Sequence, residues 1–396
     1  MKLANRVAAT QNVGLNDLYT APDPQQISFA GGYPDPAMFP QAELTNGLKQ
    51  AAADRAAFQY ADAWGDRALR DQLAALMMAD GIKATGTDIL ITQGAQQGID
   101  LTARLMLDPG DGLVVEAPTY LGALAAFNQY APTYYEVPMQ EDGMDLEALQ
   151  KIQLTHPVKM IYTVPDFQNP TGAVMSLEKR QALVRLANRF DVLILEDGPY
   201  RFLRYEGASL PPIKAFDTEG RVIFLGSMSK ILSPSLRLGW LVASPQLLDG
   251  LETLKGAADV ESSALIQRGV SRYLDAADFP AHLAQLRQTY RDKRDVMLAA
   301  LHRELPSGFA VTQPHGGFFL WLQGPAGLDM TRLQKGTLLP AHVSLVPGRN
   351  LSPHHTMASG ARLTFAAPAR EDIEPGVKRL TKALRQRVRQ ATGSAD

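Results

Sequence analysis

The stretch Val222-Ile-Phe-Leu-Gly-Ser-Met-Ser-Lys-Ile-Leu-Ser-Pro-Ser-Leu-Arg237 decides the fold, because an apolar strand ends here in a polar turn. A second apolar run, Leu238-Gly-Trp-Leu-Val242, follows at once, and shorter ones lie earlier, at residues 89–91, 113–115, 160–164 and 192–195. Helical patterns accompany them at about residues 42–54, 66–78, 96–107, 121–130 and 177–189. Apolar strands that alternate with helices are typical of a mostly parallel sheet covered on both faces. The sequence therefore predicts an α/β domain over about residues 50–255.

The rest of the chain predicts a smaller α+β domain at the C-terminal end. A long helical stretch at about residues 281–304 is followed by strand patterns at 309–312, 317–321, 343–346 and 362–365, and by helical patterns at 330–335 and 372–387. Near the other end, Gly31-Gly-Tyr-Pro-Asp-Pro36 is typical of an extended, turn-rich arm. We predict an N-terminal arm or lid over residues 1–40, a large domain over 41–280, and a small domain over 281–396 that includes part of the arm.

The composition is that of a globular protein, and it argues against several classes of partner and site. The 396 residues include 39 Lys and Arg and 41 Asp and Glu, for a formal net charge of −2. This balance argues against nucleic-acid or membrane binding through overall charge. The absence of cysteine excludes disulfides, thiolate metal sites and a cysteine nucleophile, and we predict no metal site. No run approaches about 18 apolar residues and no secretory signal is visible, so we expect a cytoplasmic protein without a membrane span.

Two of the turns that follow strands carry groups suited to phosphate. In open α/β sheets, ligands collect outside the carboxyl ends of the strands. The turn Thr92-Gln-Gly-Ala-Gln-Gln-Gly98 opens a helix, where free backbone N–H groups and the helix dipole attract an anion. A tight turn without a ligand is the alternative. Ser227, Ser229 and Arg237 follow another strand and offer further donors.

A carboxylate and a lysine follow two other apolar strands. Burying the charged carboxylate of Asp197 at the end of an apolar strand costs free energy unless the carboxylate is paired, and no cation adjoins it in sequence. Contact with the protonated nitrogen of a cofactor would remove that cost, with Tyr200 facing the same site; capping of a helix is the alternative. Desolvation of Lys230 would lower the pKa of its amine, which could then form a Schiff base. A surface lysine on a Ser-rich loop is the alternative.

Two more side chains extend this set. Asn169 precedes a proline, which holds its backbone extended at a strand end. Tyr120 stands at the start of a helix, where its ring could stack on a planar ligand. A structural turn and ordinary packing are the respective alternatives.

In this order, Asn169-Pro-Thr-Gly172, Asp197-Gly-Pro-Tyr200 and Ser227-Met-Ser-Lys230 with Arg237 resemble the class I and II aminotransferases, pyridoxal-phosphate enzymes of fold type I. The resemblance spans the chain from Phe29-Ala-Gly-Gly32 to Arg362-Leu-Thr-Phe365. The chain is most similar to the branch that contains 2-aminoadipate, kynurenine and multisubstrate aromatic or branched-chain aminotransferases. Sequence motifs of this branch are also resembled by Gln59-Tyr60, Gly65, Leu69-Arg70 and Val346-Pro-Gly348. It implies a homodimer and a seven-stranded, mostly parallel sheet in the large domain.

The resemblance also implies a role for each site residue. Lys230 would hold pyridoxal phosphate covalently as an aldimine and move a proton between the substrate Cα and the cofactor. Asp197 would keep the pyridine nitrogen protonated. Asn169 and Tyr200 would contact the phenolic oxygen of the cofactor, and Tyr120 would cover the face of its ring. The implied contacts with the phosphate come from the backbone of Ala95 and Gln96, from Ser227, Ser229 and Arg237, and from Tyr60 across a dimer interface. The substrate carboxylate would be bound by Arg362, Asn169 and the backbone of Gly32.

The implied reaction moves an amino group from an aromatic, aliphatic or 2-aminoadipate-like L-amino acid to a 2-oxo acid. We expect 2-oxoglutarate as acceptor and ping-pong kinetics on a single site. A β- or γ-lyase, or another fold-type-I reaction, is the alternative. A non-catalytic effector domain fused to a winged-helix DNA reader is a remote one, which the early start of the arm and the retained Lys230, Asp197 and Arg362 argue against.

The resemblance also implies that the segment at about residues 12–30 closes over the substrate and adapts to its side chain, so substrate preference is expected to depend on it. Leu15, Leu18 and Tyr19 would form an apolar lid for aromatic or aliphatic side chains. Arg6 would instead offer a cation to an acidic side chain, and simple packing of a short helix is the third interpretation. We expect broad specificity.

Overall fold

The computed structural model of the chain describes residues 1–11 and 23–392. The helices in this part are α1 Asn5–Gln11, α2 Gln41–Ala52, α3 Arg67–Ala79, α4 Ala95–Met106, α5 Leu121–Phe127, α6 Leu146–Thr155, α7 Leu177–Phe190, α8 Pro245–Asp259, α9 Ala264–Ala276, α10 Phe279–Glu304, α11 Met330–Leu333 and α12 Arg370–Thr392. The strands are β1 Ile27–Ser28, β2 Ile89–Gln93, β3 Gly112–Ala117, β4 Thr133–Gln140, β5 Gly143–Met144, β6 Val158–Thr163, β7 Leu193–Asp197, β8 Val222–Ser227, β9 Leu238–Val242, β10 Ala310–Val311, β11 Phe319–Gln323, β12 Val343–Ser344, β13 Val346–Pro347 and β14 Gly360–Thr364.

The large sheet has the strand order β2-β9-β8-β7-β6-β3-β4-β5. Strands β8, β7, β6, β3 and β4 run parallel to one another, while β9 is antiparallel to both of its neighbours. Every residue of β3, β7, β8 and β9 is buried, because helices cover both faces of the sheet. This confirms the predicted α/β fold with its mostly parallel sheet. The seven longer strands match the expected number, and the two-residue β5 adds an eighth at one edge.

The smaller sheet has the order β10-β11-β14-β13 and is antiparallel throughout. The N-terminal arm joins this part of the chain, since β1 pairs in parallel with β12 and Phe29 N donates to Ser344 O at 2.8 Å. The predicted strand at 343–346 is split at Leu345, so that β12 faces the arm and β13 pairs with β14. This places the arm beside the turns of the large sheet. The limits of the three predicted segments stay a prediction.

Helix starts follow from local capping chemistry. Asp66 accepts from Leu69 N at 3.0 Å before α3, and Asp145 accepts from Glu147 N and Ala148 N before α6. Proline occupies the first turns of α8 and α10, where no intrahelical N–H is needed. The predicted helices that correspond to α2, α3, α4, α7 and α10 lie within two residues of the observed bounds. None of the described helices is long and apolar enough to cross a membrane.

Candidate active site

A cavity of about 460 Å³ opens at the carboxyl ends of the central strands. It is lined by turns of the large domain, by the arm and by the smaller sheet: Gly32, Tyr33, Ala95, Gln96, Tyr120, Leu121, Val164, Asn169, Asp197, Pro199, Tyr200, Ser227, Ser229, Lys230, Pro234, Arg237, Phe319 and Arg362. Every predicted site residue except Tyr60 is among them. Parallel strands bring their carboxyl ends to one edge of the sheet, which explains why residues far apart in sequence meet here.

One end of the cavity is a cradle of backbone and small side chains. Gly94 precedes α4 with φ of +74°, and a Cβ there would stand 2.7 Å from Arg237 Nη2. A Cβ on Gly239 would lie 2.9 Å from Ala95 N, so only glycine lets β9 approach the helix start this closely. The first N–H groups of α4 have no intrahelical acceptor. These N–H groups form the positive end of the helix dipole, and this position suits an anion.

Hydroxyl and guanidinium groups complete this cradle. Ser227 is buried, and its Oγ accepts a hydrogen bond from Ser229 N at 3.1 Å. Arg237 donates to Pro234 O at 3.2 Å and to Gln93 O at 3.0 Å. Both acceptors are neutral carbonyls, so an anion bound at the turn would be a charge partner for Arg237. These donors suit a phosphate group.

Asp197 ends β7, is buried, and has one oxygen in use and one without a partner. Its Oδ2 accepts from Tyr162 Oη at 2.8 Å, whereas Oδ1 has no hydrogen-bond partner. Burial raises the pKa of Asp197 to about 7, although the Tyr162 hydroxyl and the nearby charge of Lys230 oppose that rise. The next α-helix begins only at Pro245, so the alternative in which Asp197 caps a helix is wrong. A donor inside the cavity is required to satisfy Oδ1.

Lys230 points its amine into the same cavity. Nζ donates to Gly32 O at 2.9 Å. Burial lowers the pKa of the amine to about 8, and the positive charges of Arg362 and Arg237 act in the same direction. A substantial part of this amine is therefore neutral near pH 8 and available as a nucleophile. The surface-lysine alternative does not fit this position.

Asn169, Tyr200 and Arg362 form a connected polar group in the lining of the cavity. Asn169 Nδ2 lies 3.5 Å from Tyr200 Oη, and Asn169 Oδ1 accepts from Arg362 Nη1 at 3.0 Å. Arg362 also donates to Ala30 O at 2.6 Å and lies over the Phe319 ring, with Cζ 4.3 Å from the ring centre. Its Nε has no partner, and burial lowers its pKa to about 10. It thus stays charged at neutral pH, with one donor unused.

A buried carboxyl group fixes the turn that carries Asn169. Gln168 Nε2 donates to Glu116 Oε2 at 2.9 Å, and Gln168 Oε1 accepts from Thr171 N at 2.8 Å. Glu116 also accepts from the Thr163 hydroxyl. Its pKa rises to about 7 because it is buried, with a further contribution from the charge of Asp197.

Some predicted residues are not brought into the cavity. Tyr60 is 78% exposed on the surface, where it cannot reach the cavity of its own chain. Arg6 lies in α1, which contacts Asn128 through the carbonyl of Ala9 at 3.2 Å, and it does not line the cavity either. Leu15, Leu18 and Tyr19 lie outside the described residues.

Four residues of the site or its surroundings were not predicted from the sequence: Tyr162, Glu116, Leu121 and Phe319. Tyr162 pairs with Leu195 across β6 and β7, and side chains two residues apart share a face, so this register places Tyr162 on the face of Asp197. No local pattern in the sequence shows that register. Glu116 carried the same signal as Asp197, a carboxylate at the end of an apolar strand. Phe319 comes from the smaller sheet, and no local pattern shows that it faces this cavity.

Comparison with known proteins agrees with this geometry. The family model "Aminotransferase class I and II" matches residues 27–380. The chain belongs to the class I and II aminotransferases. It is 38% identical over 372 residues to aromatic-amino-acid aminotransferase 1 of Thermococcus litoralis, covering 92% of this chain and 89% of the relative. It is 36% identical over 367 residues to the 2-aminoadipate transaminase of Thermus thermophilus, covering 91% of each.

A solved structure matches over nearly the whole length. The alpha-aminoadipate aminotransferase LysN of Thermus thermophilus, complexed with N-(5'-phosphopyridoxyl)-L-leucine, superposes with a TM-score of 0.91 at 34% identity, covering 97% of each chain. The present chain is therefore an amino-acid aminotransferase that uses pyridoxal 5'-phosphate. The cavity fits that cofactor: Asp197 Oδ1 lacks a donor, and the Gly94 turn leaves an anion cradle that a Cβ would narrow.

Proposed function

We propose that the cavity transfers the amino group of a neutral aromatic or aliphatic L-amino acid to a 2-oxo acid, by two half-reactions that alternate on one site. The observation that supports this most is that one cavity is lined both by Lys230, whose amine is held by Gly32 O, and by the buried carboxylate of Asp197, whose Oδ1 lacks a donor. When bound, pyridoxal phosphate supplies an electron sink for the pair released at the substrate Cα.

The anion cradle is proposed to hold the cofactor phosphate. The backbone N–H groups of Ala95 and Gln96, the hydroxyls of Ser227 and Ser229, and Arg237 converge there. These donors belong to two turns that approach each other closely at Gly239, so the cradle is already assembled without a ligand. A preassembled site limits the entropy that binding must remove.

The ring is proposed to lie between the other residues of the cavity. Asp197 Oδ1 would accept from the pyridine N–H and keep that nitrogen protonated, and Tyr120 would cover one ring face. Asn169 Nδ2 and Tyr200 Oη, already 3.5 Å apart, would both reach the phenolic oxygen. Burial raises the pKa of Tyr200 above its usual range, and the negative charge of Asp197 acts in the same direction, so its hydroxyl donates at neutral pH.

Lys230 is proposed as the catalytic base. Its pKa of about 8 leaves an amine that can bind the cofactor carbonyl and, once displaced by substrate, take the proton from Cα and return it at the cofactor carbon. The pKa of this amine is lowered because the surrounding protein buries it in the wall of the cavity. Arg362 is proposed to bind the substrate carboxylate, with Asn169 and the backbone of Gly32 beside it.

The substrate side chain is proposed to be apolar. Among the described residues, the cations that line the cavity are Lys230, Arg237 and Arg362, and each already has a proposed role. Leu121 and Phe319 supply apolar surface instead. An acidic donor such as 2-aminoadipate would need a second cation, so we expect it to react more slowly than phenylalanine or leucine. The expected acceptor is 2-oxoglutarate.

Two further features stay proposals. The chain is proposed to act as a homodimer in which the exposed Tyr60 reaches the phosphate of the second subunit. Sedimentation tests the dimer, and mixing Tyr60→Phe with Lys230→Ala subunits tests the shared site. A cytoplasmic location is also proposed, and cell fractionation tests it.

A single-turnover experiment tests the proposed reaction. The purified holoenzyme is mixed with one amino acid and no acceptor, and the visible cofactor band and the released product are followed. Loss of the band with release of the matching 2-oxo acid, and recovery on adding 2-oxoglutarate, is expected. Release of ammonia with a stable band would instead indicate a lyase. A faster reaction with 2-aminoadipate than with leucine or phenylalanine would contradict the proposed side-chain preference.

A further inference from the structure

Tyr162 is the buried hydroxyl that contacts Asp197 from the neighbouring strand. Tyr162 Oη donates to Asp197 Oδ2 at 2.8 Å, and the tyrosine is completely buried. Its ring packs edge-on against Phe127, with ring centres 5.4 Å apart. Tyr162 is not among the cavity-lining residues, so it reaches the site only through Asp197.

The contact makes the two oxygens of Asp197 different. Oδ2 is taken by the tyrosine hydroxyl, whereas Oδ1 has no protein partner. A carboxylate fixed on one oxygen cannot rotate freely, and the free oxygen keeps one direction. Asp197 lines the cavity, and Oδ1 is the oxygen that the described residues leave without a donor, so it is the one that a ligand donor would satisfy.

We infer that Tyr162 is a positioning residue that holds Asp197 ionised and presents its Oδ1 to the ring nitrogen of the cofactor. This rests on the proposed contact between Asp197 and that nitrogen. The hydroxyl acts through a single donated hydrogen bond, which stabilises the charged carboxylate over the neutral carboxyl.

The other groups around Asp197 make such a donor necessary. Glu116 from β3 repels its negative charge, while Lys230 from the turn after β8 attracts it. Tyr200, from the turn after β7, also lies within electrostatic range. Burial and the charge of Asp197 hold the pKa of Tyr162 well above its usual value, so its hydroxyl stays protonated at every pH of interest. Tyr162 is thus a permanent donor in a region that otherwise favours a neutral Asp197.

Removal of this hydroxyl is the direct test. Tyr162→Phe keeps the ring packing and deletes only the donor. Hydrogen bonds to charged groups are strong enough that we expect at least a tenfold rise in the dissociation constant of pyridoxal phosphate for the cofactor-free protein. In the reconstituted variant, the pH midpoint at which the visible cofactor band changes should shift by about one unit. We expect kcat to fall about tenfold and KM for the amino acid to change less than twofold.

Matched variants separate the possible causes. Tyr130→Phe removes a similar bond, from a tyrosine hydroxyl to Asp100 at 3.0 Å, away from the cavity lining, and should leave affinity and midpoint unchanged. Asp197→Asn tests the proposed function itself: if that variant binds the cofactor with the wild-type midpoint, the role of Asp197 is wrong. If Asp197→Asn is impaired while Tyr162→Phe matches wild type in affinity and midpoint, only the role of Tyr162 is overturned.

A second variant covers the case in which Tyr162→Phe does not fold. Tyr162→Met fills much of the same buried space without a hydrogen-bond donor. In the folded methionine variant we expect the same weaker cofactor binding and shifted midpoint as in Tyr162→Phe. Wild-type affinity and midpoint in the folded methionine variant would contradict the positioning role.

Discussion

Asp197→Asn should stabilise the cofactor-free protein while it weakens cofactor binding. Burial raises the pKa of Asp197 from 3.8 to about 7, so the folded chain binds this proton more tightly than the unfolded chain does. The free energy of unfolding therefore falls as the pH rises from 3.8 to 7, because the folded chain must lose a proton that it binds tightly. Above pH 7 the whole cost of burying the ionised carboxylate is present. The rise corresponds to a penalty of about 4 kcal/mol at most. Asparagine has the same shape, still accepts from Tyr162, and carries no charge.

The difference between the two proteins should grow with pH. Between pH 5 and pH 8, linkage gives a relative gain of about 2.5 kcal/mol for the asparagine variant. Glu116 adds to the gain, because the charge of Asp197 is one cause of its raised pKa. Urea unfolding of both cofactor-free proteins at pH 5, 6, 7 and 8 measures this.

A control removes the charge of a more exposed aspartate. Asp100 also accepts a tyrosine hydroxyl but is half-buried and does not line the cavity, so Asp100→Asn should not give the same gain at pH 8. A gain for Asp197→Asn that is absent at pH 8, or constant from pH 5 to pH 8, would refute the assignment of a desolvated carboxylate.

Three further substitutions test individual contacts. Lys230→Ala should abolish turnover yet still bind pyridoxal phosphate non-covalently in equilibrium dialysis; near-normal turnover would contradict the role of the lysine. Arg362→Ala should raise KM for every amino acid about 30- to 160-fold in steady-state assays, the scale of a lost charge-assisted hydrogen bond of about 2–3 kcal/mol; an unchanged KM would assign the carboxylate elsewhere. Gly94→Ala should weaken cofactor binding at least tenfold, because φ is +74° and the added Cβ meets the Arg237 guanidinium. The control Gly110→Ala also has a positive φ, +93°, but its added Cβ would lie in open space, so this variant should bind the cofactor normally. Equal cofactor affinities of the Gly94→Ala and Gly110→Ala variants would show that the cradle tolerates a side chain.

The central strands and the groups at their ends could be predicted because burial leaves a strong local pattern. Short runs apolar on both faces predict six strands of the large sheet, namely β2, β3, β6, β7, β8 and β9, and parallel strands bring their carboxyl ends together. For this reason the sequence predicts that Gly94, Asp197 and Lys230 lie near one another. Their local sequences already contained the polar group that each turn presents.

Other elements left a weaker pattern. Strand β4 is only partly buried and contains Pro138, so its sequence lacks the continuous apolar run of its neighbours. Helices α8 and α9 were not predicted, although Pro245 in the first turn of α8 is a usual start signal. Capping residues are informative only together with an apolar stripe, and in α8 the buried face of Leu248 and Leu251 also contains Lys255. Helix α9 does have an apolar face, with Val270 and Tyr273 buried, so its sequence contained a helical pattern that could have been used.

Contacts between distant elements could not be read from local pattern at all. Phe319 and Arg362 enter the cavity because the smaller sheet packs over it, and their stacking depends on the register of β11 against β14. The bond between Tyr162 and Asp197 depends in the same way on the register of β6 against β7. The role proposed for Tyr60 would depend on a second copy of the chain, which no local pattern describes.

The central claim is that Lys230 carries the cofactor and is released when an amino acid arrives. Borohydride reduction followed by peptide mass mapping tests it directly, since reduction fixes a Schiff base in place. The resting holoenzyme should carry the phosphopyridoxyl mass on Lys230, and an excess of leucine without acceptor should remove that label. A label on another lysine, or a label on Lys230 that leucine does not remove, would contradict the account.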